Sequence, residues 1–192
     1  MGYSFGFNRN EDINDYRTSE ELVHLLVNTV GRGGNLCLNI GPAADGTIPG
    51  IMEQRLKDIG GWLAVNGEGI YGTKAWHNPA EKKKAGSPLT AEKKEKSAAE
   101  AASTKTGKTV FYTTKGDDLY VLSTQWPTNG LIVAGLNFAK GTSIGLLGTN
   151  AKGSFVTVNK DVRIMPPVVT HANFNSKYAY VFKVKGGAKG LR

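Results

Sequence analysis

Residues 77–108 contain almost nothing to bury, and this stretch divides the chain. Between positions 81 and 108 stand eight lysines (Lys82, Lys83, Lys84, Lys93, Lys94, Lys96, Lys105, Lys108) against four glutamates (Glu81, Glu92, Glu95, Glu100), and Leu89 is the one large aliphatic side chain. Without an apolar stripe, burial does not offset the entropy lost on ordering a segment. Ala91 to Ala102 is rich in helix formers, yet such a helix has nothing to dock with, so 77–108 reads as a linker or surface insertion. The same stretch carries half of the net charge of +8. No aromatic residue interleaves its lysines, so there is no platform for stacked bases. No apolar run approaches the roughly 20 residues that span a bilayer. Neither a nucleic acid nor a membrane is expected as a partner.

Residues 1–76 alternate helix and strand signals. Thr18 with Glu21 three residues on forms a capping-box pattern, opening a helix with Leu22, Leu25, Leu26 and Thr29. Gly31 is read as its stop, with Gly33 and Gly34 reversing the chain. Asn35 to Ile40 reads as a short buried strand ended by Gly41-Pro42, and Asp45-Gly46 as a turn. Pro49 suits the first turn of a second helix, on which Met52, Leu56, Ile59 and Leu63 recur along one face before Asn66-Gly67. Helix, strand, loop, helix predicts a parallel α/β sheet with crossovers. Tyr3 to Phe7 is compatible with another strand.

Residues 109–185 switch to short apolar runs: 109–112, 119–122, 131–134, 144–147, 155–158, 162–164 and 178–184. Turn residues separate many of them, among them Lys115-Gly116-Asp117, Thr128-Asn129-Gly130 and Asn159-Lys160-Asp161. Strands at about ten-residue spacing predict an antiparallel sandwich.

Chemistry-bearing candidates are few. His24 falls near the apolar side of the first helix and reads as structural. His77 and His171 sit in loops with no second ligand at metal-binding spacing. Cys37, the single cysteine, excludes an internal disulfide framework. Flanked by Leu36 and Leu38, it reads as a buried small hydrophobe. Gly31-Arg32-Gly33-Gly34 precedes a strand rather than opening a helix, so it is no phosphate loop. Asp45 lies past the end of a predicted parallel strand, where barrel enzymes place working residues, but Asp-Gly is first an ordinary turn. Glu11, Asp12 and Glu68 fall in loops. Phe5, Phe7, Trp62, Tyr71 and Trp76 suit either a sugar face or a core, and Trp62 and Trp76 fit a core or domain interface better. No metal site and no cofactor is read from these residues.

Ser4-Phe5-Gly6-Phe7-Asn8, Gly33-Gly34-Asn35-Leu36-Cys37-Leu38-Asn39-Ile40-Gly41-Pro42 and Asp45-Gly46-Thr47-Ile48-Pro49 together resemble the retaining α-L-fucosidases of glycoside hydrolase family 29. The likeness runs on through Arg55-Leu56, Ile59-Gly60, Trp62-Leu63, Asn66-Gly67-Glu68 and Ile70-Tyr71-Gly72-Thr73. Phe111 to Asp117, Leu119-Tyr120 and Trp126-Pro127 resemble the start of that family's C-terminal β-sandwich, and the lysine-rich segment matches nothing in it.

The resemblance implies a (β/α)8-type barrel followed by a β-sandwich. A full barrel takes about 200 residues or more, so 1–76 would supply only its last one or two units, and 109–192 the sandwich. It implies hydrolysis of terminal α-L-fucosyl linkages with retention, by an aspartate nucleophile and, in many members, a glutamate acid/base. In family order both lie before the Ser4–Asn8 motif, as do the histidines that hold the sugar hydroxyls. No catalytic residue is then expected in this chain. Phe5 is expected to line the pocket near the fucose ring and its methyl group, an apolar contact worth on the order of 1 kcal/mol. Phe7 replaces a more usual tyrosine. Asn39 and Asp45 are assigned to shaping the loop at the strand end. Fucosylated glycans are the implied partners, together with a complementing N-terminal catalytic part, and a periplasmic or secreted location is implied for the complete enzyme. The alternative is a non-catalytic carbohydrate-binding or structural β-sandwich protein.

Overall fold

The structure, a computed structural model, describes residues 1–80, 109–189 and 191. Most of the expected linker, with its Ala-Glu-Lys helix, therefore lies outside the described residues. In chain order come a 3-10 turn (Ile13–Asp15), α1 (Ser19–Gly31), α2 (Gly50–Asn66), a second 3-10 turn (Gly67–Gly69) and β1 (Lys74–Ala75). Then follow β2 (Val110–Lys115), β3 (Asp118–Ser123), β4 (Leu131–Val133), β5 (Ile144–Leu146), β6 (Lys152–Val158), β7 (Asp161–Met165) and β8 (Tyr180–Val184). All seven apolar runs read after residue 108 form strands.

The strands make one curled sheet in the order β1-β2-β3-β8-β5-β6-β7-β4, with each pair antiparallel. The curl is placed at β6. Lys152 and Gly153 pair with β5, whereas Ser154 to Val158 pair with β7. A Cβ on Gly153 would fall 2.9 Å from the Met165 carbonyl oxygen, so the bend needs a residue without one. Bending folds β4 and β7 over the rest of the sheet. Their Leu131, Val133, Val162 and Ile164 meet Tyr112, Leu119, Val121, Ile144, Leu146, Phe182 and Val184 in one buried cluster. Each such side chain contributes about 1.5–3 kcal/mol through burial.

The opposite face of β2, β3 and β8 presents Phe111, Tyr120, Leu122 and Val181 to α1 and α2, which supply Val23, Val27 and Trp62. The cap at Thr18 forms as read: its hydroxyl accepts from Glu21 N at 3.1 Å while the Glu21 carboxylate accepts from Thr18 N at 2.7 Å. α1 ends at Gly31, and Gly33, at φ +88°, reverses the chain behind it, both as read. Gly31 is small for a reason of its own, since a Cβ there would lie 2.5 Å from Phe111 Cβ. On α2, Met52 and Trp62 are buried and Ile59 and Leu63 half-buried, while Leu56, placed by its spacing on the docking face, is exposed.

The parallel sheet expected in residues 1–76 does not form among the described residues. Asn35 to Ile40 forms no ladder, and Cys37 is exposed rather than buried. A strand needs a ladder partner, and among the described residues no segment pairs with this one. Tyr3 to Gly6 forms bends rather than a strand. The one strand of this part, β1, pairs antiparallel with β2 (Lys74 opposite Thr114, Ala75 opposite Thr113), joining the sheet of the second half.

Candidate functional site

Phe5 stands on a loop that is fastened at several points. The Asn39 side-chain amide donates to the Phe5 carbonyl, and the Met1 nitrogen donates to the Asn39 carbonyl at 3.0 Å. Gly41 lies directly under the loop, where a Cβ would come within 2.6 Å of Gly6 C and Phe7 N. Ser4 N donates to the Glu11 carboxylate at 2.6 Å, and Asn8 Nδ2 donates to Ser4 Oγ at 2.9 Å. The Ser4 N–H holds the Glu11 carboxyl below its ordinary range, and burial together with Glu11 raises the Tyr16 phenol. A backbone fixed this way still leaves the Phe5 ring 89% exposed and Tyr3 86% exposed. Phe7 is also exposed. The loop thus displays aromatic surface.

The Asp45 loop does the shaping expected of it. Asp45 Oδ1 accepts from Thr47 N (3.0 Å) and Thr47 Oγ1 (2.7 Å), and Gly46 takes φ +85°. The Thr47 hydroxyl and N–H keep the carboxyl below its usual range, so Asp45 is an ionised turn former. His24 is structural, with Nε2 2.9 Å from the Tyr178 carbonyl oxygen. His77 and His171 are exposed. Among the described residues no group of three His, Cys, Asp or Glu converges in a way that holds a metal. Trp62 is core, its indole N–H donating to the Ala179 carbonyl at 2.9 Å, and Trp76 packs edge-on against Tyr112. Tyr71 is 60% exposed.

Retaining glycoside hydrolysis needs two carboxyl groups roughly 5–5.5 Å apart, one of them able to give a proton. Glu68 and Asp118 come near each other, a pairing that the roughly fifty residues between them hide from a sequence reading. Lys183 Nζ lies between them, 2.5 Å from Glu68 Oε1 and 3.2 Å from Asp118 Oδ2. The Lys183 hydrogen bond lowers the Glu68 carboxyl. Burial pushes Asp118 up, but the Gly186 N–H and Lys183 outweigh it and the net shift is downward. Neither group holds a proton near neutrality, and the Lys183 ammonium bridges the two. The quartet is completed by Tyr120, whose hydroxyl donates to Glu68 Oε1 at 2.9 Å. It is a clamp. Two surface depressions, one lined by Gly148–Ala151 and Asn173 and one between α2 and residues 175–178, hold a single carboxylate between them, Asp58. That group already accepts from Ser19 Oγ and Gln54 Nε2.

With no acid pair in view, comparison with known proteins decides the family. Residues 1–68 match the model of α-L-fucosidase, and residues 103–185 match the model of the α-L-fucosidase C-terminal domain. The chain belongs to the α-L-fucosidase family. An α-L-fucosidase of Branchiostoma floridae is 32% identical over 185 residues, covering 95% of this chain and 36% of the relative. The human tissue α-L-fucosidase is 30% identical over 186 residues, covering 96% of this chain and 35% of the relative. Among solved structures, a Thermotoga maritima α-L-fucosynthase superposes with a TM-score of 0.68 at 30% identity, over 95% of this chain and 37% of that one. The Thermotoga maritima α-fucosidase in complex with fucose gives 0.67 at 29% identity, over 95% and 38%. This fucosidase-family chain spans a little over a third of the length of such relatives, and its second half corresponds to their C-terminal domain.

Proposed function

We propose that this chain serves as the C-terminal part of a retaining α-L-fucosidase, which hydrolyses terminal α-L-fucosyl linkages of fucosylated glycans. The observation that carries this reading is the pair of fucosidase matches, in family order, across both halves of the chain. A stand-alone sugar-binding sandwich does not account for the first match. Residues 1–76 form the last units of the (β/α)8-like barrel, 77–108 a linker or insertion, and 109–192 the β-sandwich. The curl at β6, which lays β4 and β7 across the sheet, supports the sandwich. The catalytic carboxylates come from the complementing catalytic part. Phe5 supplies an apolar wall for the deoxy-sugar methyl, and its exposed ring on a pinned backbone supports that role.

The test is a fusion of this chain to the portion of the Thermotoga maritima α-fucosidase that it does not match. The chain alone should leave 4-nitrophenyl α-L-fucoside uncleaved. The fusion should release nitrophenol with net retention at the anomeric carbon, read by NMR. Phe5→Ala in the fusion should raise KM about fivefold, the equivalent of about 1 kcal/mol of lost apolar contact. A folded fusion without fucoside hydrolysis overturns the reading.

A further inference from the structure

The loop that carries Phe5 closes around a carboxylate. Glu11 Oε1 accepts from Ser4 N at 2.6 Å, across seven positions of the chain. Glu11 N donates to the Asn8 carbonyl at 3.3 Å, turning the chain back toward Ser4, and Asn8 Nδ2 braces the turn by donating to Ser4 Oγ at 2.9 Å. Glu11 Oε2 is withdrawn from water against Gly2, where a Cβ would fall 2.7 Å from it. The same carboxylate faces the phenol of Tyr16, which is buried with Leu22 of α1 and Met52 of α2. Loop and helices thus meet at one side chain. We propose that Glu11 is a positioning residue for Phe5, closing residues 4–11 into a loop that holds the exposed ring ready for the methyl group of a deoxy-sugar. The inference rests on the function proposed above.

Two bonds bracket the backbone on which the ring is mounted. Glu11 holds the Ser4 N–H on one side and Asn39 holds the Phe5 carbonyl on the other, so the torsions of Ser4 and Phe5 are fixed between them. A ring that is 89% exposed gains little from its own packing, so its direction depends on those bonds. A wall ordered before the sugar arrives has no such freedom left to lose on binding, which strengthens the contact. Glu11 is an acceptor and not an acid, because the Ser4 N–H keeps its carboxyl below the ordinary range. An ionised acceptor makes the stronger bond. Length matters too. Aspartate has about 1.5 Å less reach, one carbon–carbon bond, and leaves the Ser4 N–H unpaired. Glutamine keeps both the reach and an acceptor oxygen.

The fusion of this chain to the unmatched portion of the Thermotoga maritima α-fucosidase is assayed on two nitrophenyl glycosides, the α-L-fucoside and the pentopyranoside of the same ring configuration that lacks only the methyl. The unsubstituted fusion should favour the fucoside with a KM about fivefold lower, and Phe5→Ala should erase the difference. Glu11→Ala and Glu11→Asp should each raise the fucoside KM about threefold or more, with kcat and the pentoside KM in place. Glu11→Gln should keep most of the preference. A merely structural role lowers kcat on both glycosides as folded enzyme is lost and moves neither KM. That pattern overturns the proposal, as does a preference that Phe5→Ala erases while Glu11→Ala and Glu11→Asp retain it. A preference that survives Phe5→Ala removes the apolar wall and the positioning role together. Exchange of the Ser4 amide, read by NMR on the chain alone, needs no activity. It should be slow, quicken about tenfold or more in Glu11→Ala and stay slow in Glu11→Gln, and Glu11→Asp carries the comparison where the alanine variant loses its fold. Fast exchange in the unsubstituted chain overturns the closed loop even where the fusion cleaves both glycosides. A folded fusion that cleaves neither overturns the proposed function and the role toward a sugar, and a protected Ser4 amide there leaves the loop closure standing.

Discussion

Lys183 ties the turn that follows α2 to the sheet. Its ammonium bridges Glu68, which follows α2, and Asp118 on β3, and it lies 5.8 Å from the centre of the Tyr120 ring. The hydrogen bond to Glu68 raises the Lys183 ammonium above its ordinary range, so it stays charged. Burial and the bond to Glu68 push the Tyr120 phenol up from 10 to about 12. A phenol whose pKa is higher in the folded state stabilises the fold fully below pH 10, and that contribution fades as pH rises toward 12. Stability to urea should therefore decline between pH 10 and 12, and Tyr120→Phe should flatten the decline. At the acid end the signs reverse. Glu68 and Asp118 have lowered values, so their contribution holds near neutrality and is lost as pH falls through their folded-state range. Lys183→Met should flatten the acid decline, read from urea midpoints between pH 2 and 6. Unchanged slopes in both variants would remove the clamp from the molecule's stability.

At the scale of elements, two contacts decide whether α1 is placed correctly. Thr18 and Glu21 satisfy each other's backbone N–H groups, so Thr18→Ala should cost about 1 kcal/mol in urea denaturation. Gly31→Ala should cost more, about 1–3 kcal/mol, because the added methyl meets the Phe111 side chain at the α1–β2 contact. A neutral or stabilising Gly31→Ala would mean that α1 does not press on β2 as described. The capping box was legible in the sequence because it is local. The seven strands were legible for the same reason, as short apolar runs at about ten-residue spacing, many of them separated by turn residues. Gly31 was legible as the end of α1, but its need to lack a Cβ was not, because that comes from Phe111, 80 positions away. Asn35–Ile40 misled. Its apolar pattern is that of a strand, but it has no ladder partner among the described residues, so pattern alone promised a buried Cys37. For the candidate site, the motif around Phe5 was legible as words of a family. The bond from Asn39 that pins it, and the whole Glu68–Lys183–Asp118–Tyr120 cluster, join residues too far apart for any spacing to announce.

For the whole molecule, the boundary that composition draws at 77–108 is not a boundary in the core. Val23, Val27, Trp62 and Ile70 from the first part form one cluster with Phe111, Tyr120, Leu122, Ala179 and Val181 from the second. Polar bonds cross the same seam: Trp62 to Ala179, Asn66 to Ser176, Thr113 to Gly69 and Lys115 to the Tyr71 carbonyl. Even β1 completes the sheet of the second part. Residues that share a core cannot release it separately, so the chain should unfold in one transition, with far-UV circular dichroism and tryptophan fluorescence coinciding. Residues 1–76 by themselves would uncover the α1–α2 face that meets β2, β3 and β8, as well as the unpaired 35–40 edge. We expect that piece to associate or stay unfolded. Adding residues 109–192 as a separate polypeptide should restore the helical signal, because the missing half of the core then returns. A monomeric 1–76 piece that unfolds cooperatively would show that the helical layer holds itself together, and that the shared cluster joins two finished units.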